Sequence, residues 1–284
     1  MIINKYTKFL IIGLGLLGGS YARGLTEKGY YVEAITDKQS SVDYAIEKGI
    51  VNFATTEVNK ETVQKADVII FALYPHVFTK WIKEYGYLIK PGTMITDVTG
   101  VKKCIVYEIQ SMLPSGVEFV SAHPMAGREV YGVENSSEKI FFGANYVVVP
   151  TEKNTEENID ACKRLGEILG FGKIAELSPE DHDDMIGFVS QLTHCIAVSL
   201  MTCYENERLE KYTGDSFRDL TRIANINEIM WSELFMLNKE SLLNQMELFR
   251  HEFDKLEEYL RNDDREGMME MMKLSTERRK RFDR

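Results

Sequence analysis

The stretch from residue 9 to residue 25 sets the narrowest limit on what this chain can fold into. Residues 9–12 are a short apolar run that reads as a strand buried on both faces. The run leads directly into Gly13-Leu14-Gly15-Leu16-Leu17-Gly18, after which residues 19–25 carry apolar positions at helical spacing. A bare G-x-G-x-x-G is weak evidence; strand, glycines and helix in this order are the context the motif requires. Gly13 makes the tight turn, Gly15 lets the backbone approach a pyrophosphate, and Gly18 lets the helix sit close to the sheet. The helix start, with Leu16 and Leu17, supplies free N–H groups and the positive end of the dipole.

The next apolar run, Tyr31–Ile35, ends in Thr36-Asp37-Lys38. Asp37 stands about 20 residues past the last glycine, where an acid hydrogen-bonds the adenosine ribose hydroxyls. A carboxylate there repels a 2′-phosphate and favours NAD over NADP, although Lys38 beside it pulls the other way. Further strands are expected over 67–73, 93–98, 117–122 and 145–149. Ligands of open α/β sheets gather outside the carboxyl ends of the strands. Residues 13–18, Asp37, Leu73, Tyr74, 97–102 and 123–129 should therefore lie along one edge. His123, just past the strand 117–122, then sits beside the nicotinamide end of the cofactor.

Beyond residue 150 the period changes to helical. A helix is expected over 155–169, ending at Gly170. Ser178-Pro179-Glu180-Asp181 reads as a helix start with a serine cap, a first-turn proline and acids on the dipole. That helix carries an apolar stripe of Met185, Phe188, Val189, Leu192, Ile196 and Leu200, with the polar Ser190, Gln191 and His194 near its middle. Asn227 caps another helix. From Leu242, apolar residues recur at alternating spacings of four and three through Met246, Phe249, Phe253, Leu256 and Leu260, a heptad seam suited to a second subunit. The expected architecture is an α/β Rossmann-type dinucleotide-binding domain over 1–150, followed by an all-α substrate-binding and dimerisation domain over 151–284.

Composition narrows the partners. With 34 Lys+Arg against 44 Asp+Glu, the net charge of −10 argues against nucleic acid or an anionic membrane. Four cysteines, with no C-x-x-C pair and no histidine spacing that suggests zinc, fit reduced thiols and no metal. Glycines break the N-terminal apolar run too early for a membrane span or a signal peptide, so a cytoplasmic protein is expected.

The motif H-P-x-A-G-x-E at residues 123–129, FRDLTRIA at 217–224 and IMWSEL at 229–234 follow the glycine loop in an order that resembles the prephenate dehydrogenase family, which includes arogenate dehydrogenases. The resemblance runs from about residue 8 to residue 260. It implies NAD-dependent oxidative decarboxylation of prephenate to 4-hydroxyphenylpyruvate in tyrosine biosynthesis, or the corresponding reaction of arogenate. On that resemblance His123 is the base, Arg222 binds a substrate carboxylate, and Glu129 acts near the substrate carboxylates. Asp219 orients polar groups, while His194, Ser190 and Gln191 line the substrate pocket. Trp231 is expected to pack in the core. Two positions depart from the family pattern: its serine partner for the catalytic histidine is Gly100 here, which leaves Thr99 as the candidate partner, and the first histidine of S-H-x-P-H is Gln191. A related hydroxy-acid or imine dehydrogenase predicts a lysine on the first helix after the linker, and none stands between Glu180 and Glu207. A non-catalytic sensor predicts loss of the catalytic set, which is present.

Overall fold

The computed structural model describes residues 1–128 and 130–282, so the expectation for Glu129 lies outside the described residues. Six strands, β1 (Lys8–Ile12), β2 (Tyr31–Ile35), β3 (Phe53–Thr55), β4 (Val68–Phe71), β5 (Met94–Asp97) and β6 (Glu118–Phe119), form a parallel sheet in the order β3-β2-β1-β4-β5-β6. Helices α1 (Leu16–Glu27), α2 (Gln39–Glu47), α3 (Lys60–Lys65), α4 (Pro75–Tyr85) and α5 (Lys103–Met112) connect them. The period-two alternation of a strand buried on both faces divides the core. Phe9 and Ile11 face one apolar cluster with Tyr21 and Leu25 of α1, whereas Leu10 and Ile12 face the other with Phe78 of α4 and Ile105 of α5.

The expected strand 117–122 is two strands. Val120 N–H still bonds the Ile95 carbonyl of the main sheet. The next N–H on that side of the chain, that of Ala122, goes instead to the side chain of Asp97, at 3.1 Å. That diversion starts β7 (Ser121–Met125), which pairs antiparallel with β8 (Asn145–Val149); with β9 (Lys173–Glu176) they form a second sheet of order β7-β8-β9. His123 is therefore inside a strand, opposite Val147, rather than just past a strand end. Pro124 is tolerated because β7 is an edge strand, where a missing donor breaks no ladder.

Two strands carry no signal in the sequence. In β3 only Ala54 is buried, and β9 (Lys173–Glu176) is almost wholly exposed, so neither shows an apolar run. Strand β9 pairs with β8, and α6 (Glu156–Leu169) packs Leu165 and Leu169 into the first apolar cluster. The first structural unit thus continues through Glu176, past the boundary expected at 150.

The remainder is helical: α7 (Pro179–Ile186), a π-helical turn over Gly187–Leu192, α8 (Thr193–Thr202), α9 (Asp215–Thr221), α10 (Glu228–Leu237), α11 (Lys239–Arg261) and α12 (Arg265–Arg279). Ser178 and Asn227 accept backbone N–H groups as caps, as their positions predict. The stripe of α7 and α8 is only partly inside: Leu192 is buried, while Met185, Phe188 and Val189 are exposed. On α11, Leu242 is buried but Phe249, Phe253 and Leu260 are exposed, so the seam is not consumed within the chain.

Leu234 of α10 plugs the helical half into the second apolar cluster, with Met230 and Trp231 packed beside it. Leu234→Ala should lower unfolding free energy by about 2–5 kcal/mol through the lost transfer and the cavity left behind, measurable by urea denaturation.

Candidate active site

The site grows from a buried ion pair at the carboxyl end of β5. Asp97 and Lys102 have fully buried side chains and meet at 2.8 Å. Asp97 Oδ1 accepts from Ser121 Oγ at 2.6 Å and from Ala122 N–H at 3.1 Å, and its other oxygen accepts from Thr99 N–H at 3.0 Å. Lys102 Nζ also donates to the Ala122 carbonyl at 2.7 Å and to Thr99 Oγ1 at 3.3 Å. The residue before His123 is thus pinned at both its N–H and its C=O. Burial pushes the Lys102 ammonium below its ordinary range, against the pull of Asp97.

This placement corrects the role expected for Thr99. Its hydroxyl lies between the Asp97 carboxylate and the Val101 carbonyl, turned into the structure. The partner of His123 is His182 of α7, whose Nε2 stands 2.9 Å from His123 Nδ1. His182 is fully buried, and its Nδ1 is 2.8 Å from Asp183 Oδ1. Asp183 in turn caps α5 from the helical half, accepting from Lys102 N–H at 2.8 Å and Lys103 N–H at 2.9 Å. In the sequence, His182 and Asp183 look like part of an acidic first turn. Only the contact between α7 and β7, 59 residues apart, reveals them.

The chain of contacts fixes tautomers. A carboxylate only accepts, so His182 Nδ1 carries the proton towards Asp183 and its Nε2 is a lone pair. His123 Nδ1 must then donate to that lone pair, which leaves His123 Nε2 as an acceptor. Burial, then the neighbouring His182 and then the Lys102 charge, hold His123 well below the ordinary histidine value, so it is neutral at neutral pH. His182 is lowered too, chiefly by burial, with the hydrogen bond to Asp183 opposing.

Gln191 is also displaced from its expected role. It is buried, donates to the Leu234 carbonyl at 3.2 Å and accepts from Asn238 Nδ2 at 2.8 Å, and Asn238 Nδ2 also reaches the Asp183 carbonyl. It therefore ties the π-helical turn to the α10–α11 junction. Ser190 and His194 stay together, with His194 Nδ1 donating to the Ser190 carbonyl at 2.9 Å. Trp231 stacks on His194 with ring centroids 3.7 Å apart, in addition to its core packing. Arg222 is exposed on a turn that packs on α8, the helix of His194, and Asp219 is exposed on α9. At Gly100 an added Cβ would lie 3.4 Å from Leu234, in van der Waals contact of the helical half with the turn after β5.

The glycine loop fits a dinucleotide. Gly13 has φ 99°, and a Cβ there would meet the Ala72 carbonyl oxygen at 2.5 Å; one on Gly18 would lie 1.9 Å from the Gly13 carbonyl oxygen. Nothing would lie within 4 Å of a Cβ on Gly15, so open space remains beside it. The first turn of α1, with Leu16 and Leu17, has no acidic residue and no side-chain cap, leaving its N–H groups for phosphate. Asp37 is exposed beyond β2, and Leu73 and Tyr74 follow β4 at the same edge. Among the described residues no cluster of His, Cys, Asp or Glu could hold a metal ion. Burial pushes the Cys104 and Cys162 thiols up to about 11, which makes neither a nucleophile near neutral pH.

Residues 21–173 match the family described as "Prephenate dehydrogenase, nucleotide-binding domain", and residues 178–274 match "Prephenate dehydrogenase, dimerization domain". The chain is 29% identical to the prephenate dehydrogenase of Bacillus subtilis, covering 95% of this chain and 74% of that one. It is 32% identical to the prephenate dehydrogenase of Lactococcus lactis, covering 88% and 70%. A crystal structure of prephenate dehydrogenase from Aquifex aeolicus, in complex with hydroxyphenyl propionate and NAD+, superposes with TM-score 0.89 at 29% identity over 98% of both chains. Both halves match in order, and on that agreement the chain belongs to the prephenate dehydrogenase family, an oxidoreductase family.

Proposed function

We propose that this chain catalyses the NAD-dependent oxidative decarboxylation of prephenate to 4-hydroxyphenylpyruvate. The observation that carries the reading is the His123–His182–Asp183 chain, which keeps a neutral imidazole with its free lone pair on Nε2. Prephenate presents a 4-hydroxyl whose proton must leave as its carbon is oxidised, and an imidazole acceptor suits that transfer. NAD, held by Gly13, Gly15, Leu16, Leu17, Gly18 and Asp37 with Leu73 and Tyr74 alongside, supplies the hydride acceptor when bound. His123 takes the hydroxyl proton as the C4–H bond gives up its hydride. Loss of CO2 across the ring then returns an electron pair to the ring, and the resulting phenolate can take the proton back from His123.

The other residues bind and orient. Arg222 offers a planar guanidinium to a substrate carboxylate, which can give a bidentate pair and so a direction as well as an attraction. His194, fixed by the Ser190 carbonyl and by Trp231, lines the substrate side. Asp219 completes the polar surroundings, and Thr99 acts from behind the site by holding Asp97 and Lys102. Arogenate differs from prephenate only by an amino group on the side chain, and its oxidation is the second reading of the same site. The four cysteines are free, which suits a cytoplasmic, reducing compartment.

The helical half joins two copies of the chain. Its exposed apolar side chains support this: Phe253 at 60% and Leu260 at 61% on α11, and Phe188 at 56% before α8. The helical run Pro179–Thr202 is long and apolar enough to cross a membrane by length and composition, but it carries the buried His182 and Asp183 of the site. An apolar face of a core helix that waits for a second subunit accounts for the same composition.

Purified protein should reduce NAD with prephenate, release CO2 and form 4-hydroxyphenylpyruvate; turnover with arogenate but not prephenate would replace the first reading by the second. His123→Asn should lower kcat about 10²-fold or more while the NAD dissociation constant holds. A depressed His123 places the acid limb of the kcat/KM profile below ~6.5, the ordinary histidine value. The same shift makes stability full above that value and lost as pH falls below it, because the unfolded chain takes up the proton first. His182→Asn should lower kcat by about 10²-fold or more, since the tautomer of His123 is no longer set; an unchanged kcat and pH profile would remove His182 from the mechanism. Phe253→Glu should turn a dimer into a monomer in sedimentation analysis, and a wild-type protein that is monomeric at micromolar concentration would refute the assembly.

A further inference from the structure

Helix α4 begins at the cofactor edge of the sheet, directly after Leu73 and Tyr74, and no side chain of its own turn caps it. The cap comes from the other half of the molecule. Glu233 of α10 accepts from His76 N–H at 2.9 Å through one carboxylate oxygen, and its second oxygen lies 2.8 Å from His76 Nδ1. Asn227, the cap of α10 itself, donates to Tyr74 Oη at 3.4 Å. The turn held in this way presses on the glycine loop, since a Cβ on Gly13 would meet the Ala72 carbonyl oxygen at 2.5 Å and Leu73 Cδ2 at 2.9 Å. The same helix α10 carries Trp231, which stacks on His194 at 3.7 Å, and its Leu234 carbonyl takes the Gln191 amide.

From this arrangement we infer that Glu233 is a positioning residue for the cofactor. It clamps the β4–α4 turn, and through that turn the glycine loop, to the helix that bears the wall of the substrate side. A carboxylate suits the task because it satisfies an otherwise free N–H and complements the positive end of the α4 dipole. The inference rests on the reading of the glycine loop as an NAD site.

The test uses the full-length protein with NAD and prephenate. Glu233→Ala should raise the NAD dissociation constant, read by calorimetry without turnover, by about five- to tenfold, while the KM for prephenate stays within twofold. Glu233→Gln keeps an acceptor for the His76 N–H and should restore most of the affinity; it also serves if the alanine variant does not fold. Amide hydrogen exchange on the unliganded protein should quicken at residues 76–79 in Glu233→Ala. An NAD dissociation constant within twofold of wild type overturns the inference, as does a parallel loss of NAD and prephenate binding that Gln does not rescue. If wild-type protein binds no NAD, the functional reading fails, and the exchange measurement then decides the clamp alone: unchanged exchange at residues 76–79 overturns it.

Discussion

The buried pair of Asp97 and Lys102 is the interaction on which the rest of this molecule depends. Removing two charges from water is unfavourable, and a buried pair persists only where every lone pair and proton finds a partner. Here both conditions hold: Asp97 takes Ser121, Ala122, Thr99 and Lys102, while Lys102 reaches Asp97, Ala122 and Thr99. Satisfying Asp97 costs the main sheet the N–H of Ala122, so the chain leaves β6 and opens a second sheet. His123 is the next residue, and it inherits a position set from both sides of the preceding peptide. Burial, then the neighbouring His182 and then the ammonium of Lys102, keep His123 neutral.

Two carboxylates of the helical half finish the assembly in one manner. Asp183 caps α5 and Glu233 caps α4, so the amino ends of adjacent helices at the carboxyl edge of the sheet are closed by residues from across the junction. Capping, apolar anchoring through Leu234 and the Gln191–Asn238 amide contact are therefore one interface. That interface sets α10 against the carboxyl edge of the sheet. By contrast the amino end of α1 has neither acid nor side-chain cap, an arrangement that suits a phosphate, whereas α4 and α5 are closed by the protein's own carboxylates.

Much of this was legible because it is local. The buried strands β1, β2, β4, β5 and β8 announce themselves as apolar runs, and Gly170, Ser178 and Asn227 mark helix ends by their own conformational and hydrogen-bonding preferences. Strands β3 and β9 were not legible, since edge strands bury too little to show a pattern. Thr99 is pointed to as the partner of His123 only by the family pattern, whose serine position is Gly100 here. The actual partner comes from another helix, and the Thr99 hydroxyl is spent on Asp97 and Val101. Gln191 looked like a pocket residue because a polar side chain on an apolar helix suggests a ligand; Asn238 and the Leu234 carbonyl meet its needs instead.

The sequence by itself determined the dinucleotide half and the helical half, since each rests on patterns among residues that are neighbours along the chain. Only the tertiary structure decided where the first unit ends, which residue sets the tautomer of His123, and how the carboxyl edge of the sheet is fastened to the helical half. Those three depend on hydrogen bonds between groups far apart in sequence, His182 to His123, Asp183 to Lys102 and Lys103, and Glu233 to His76. Such bonds leave no periodicity and no motif, because their geometry exists only once both halves are packed.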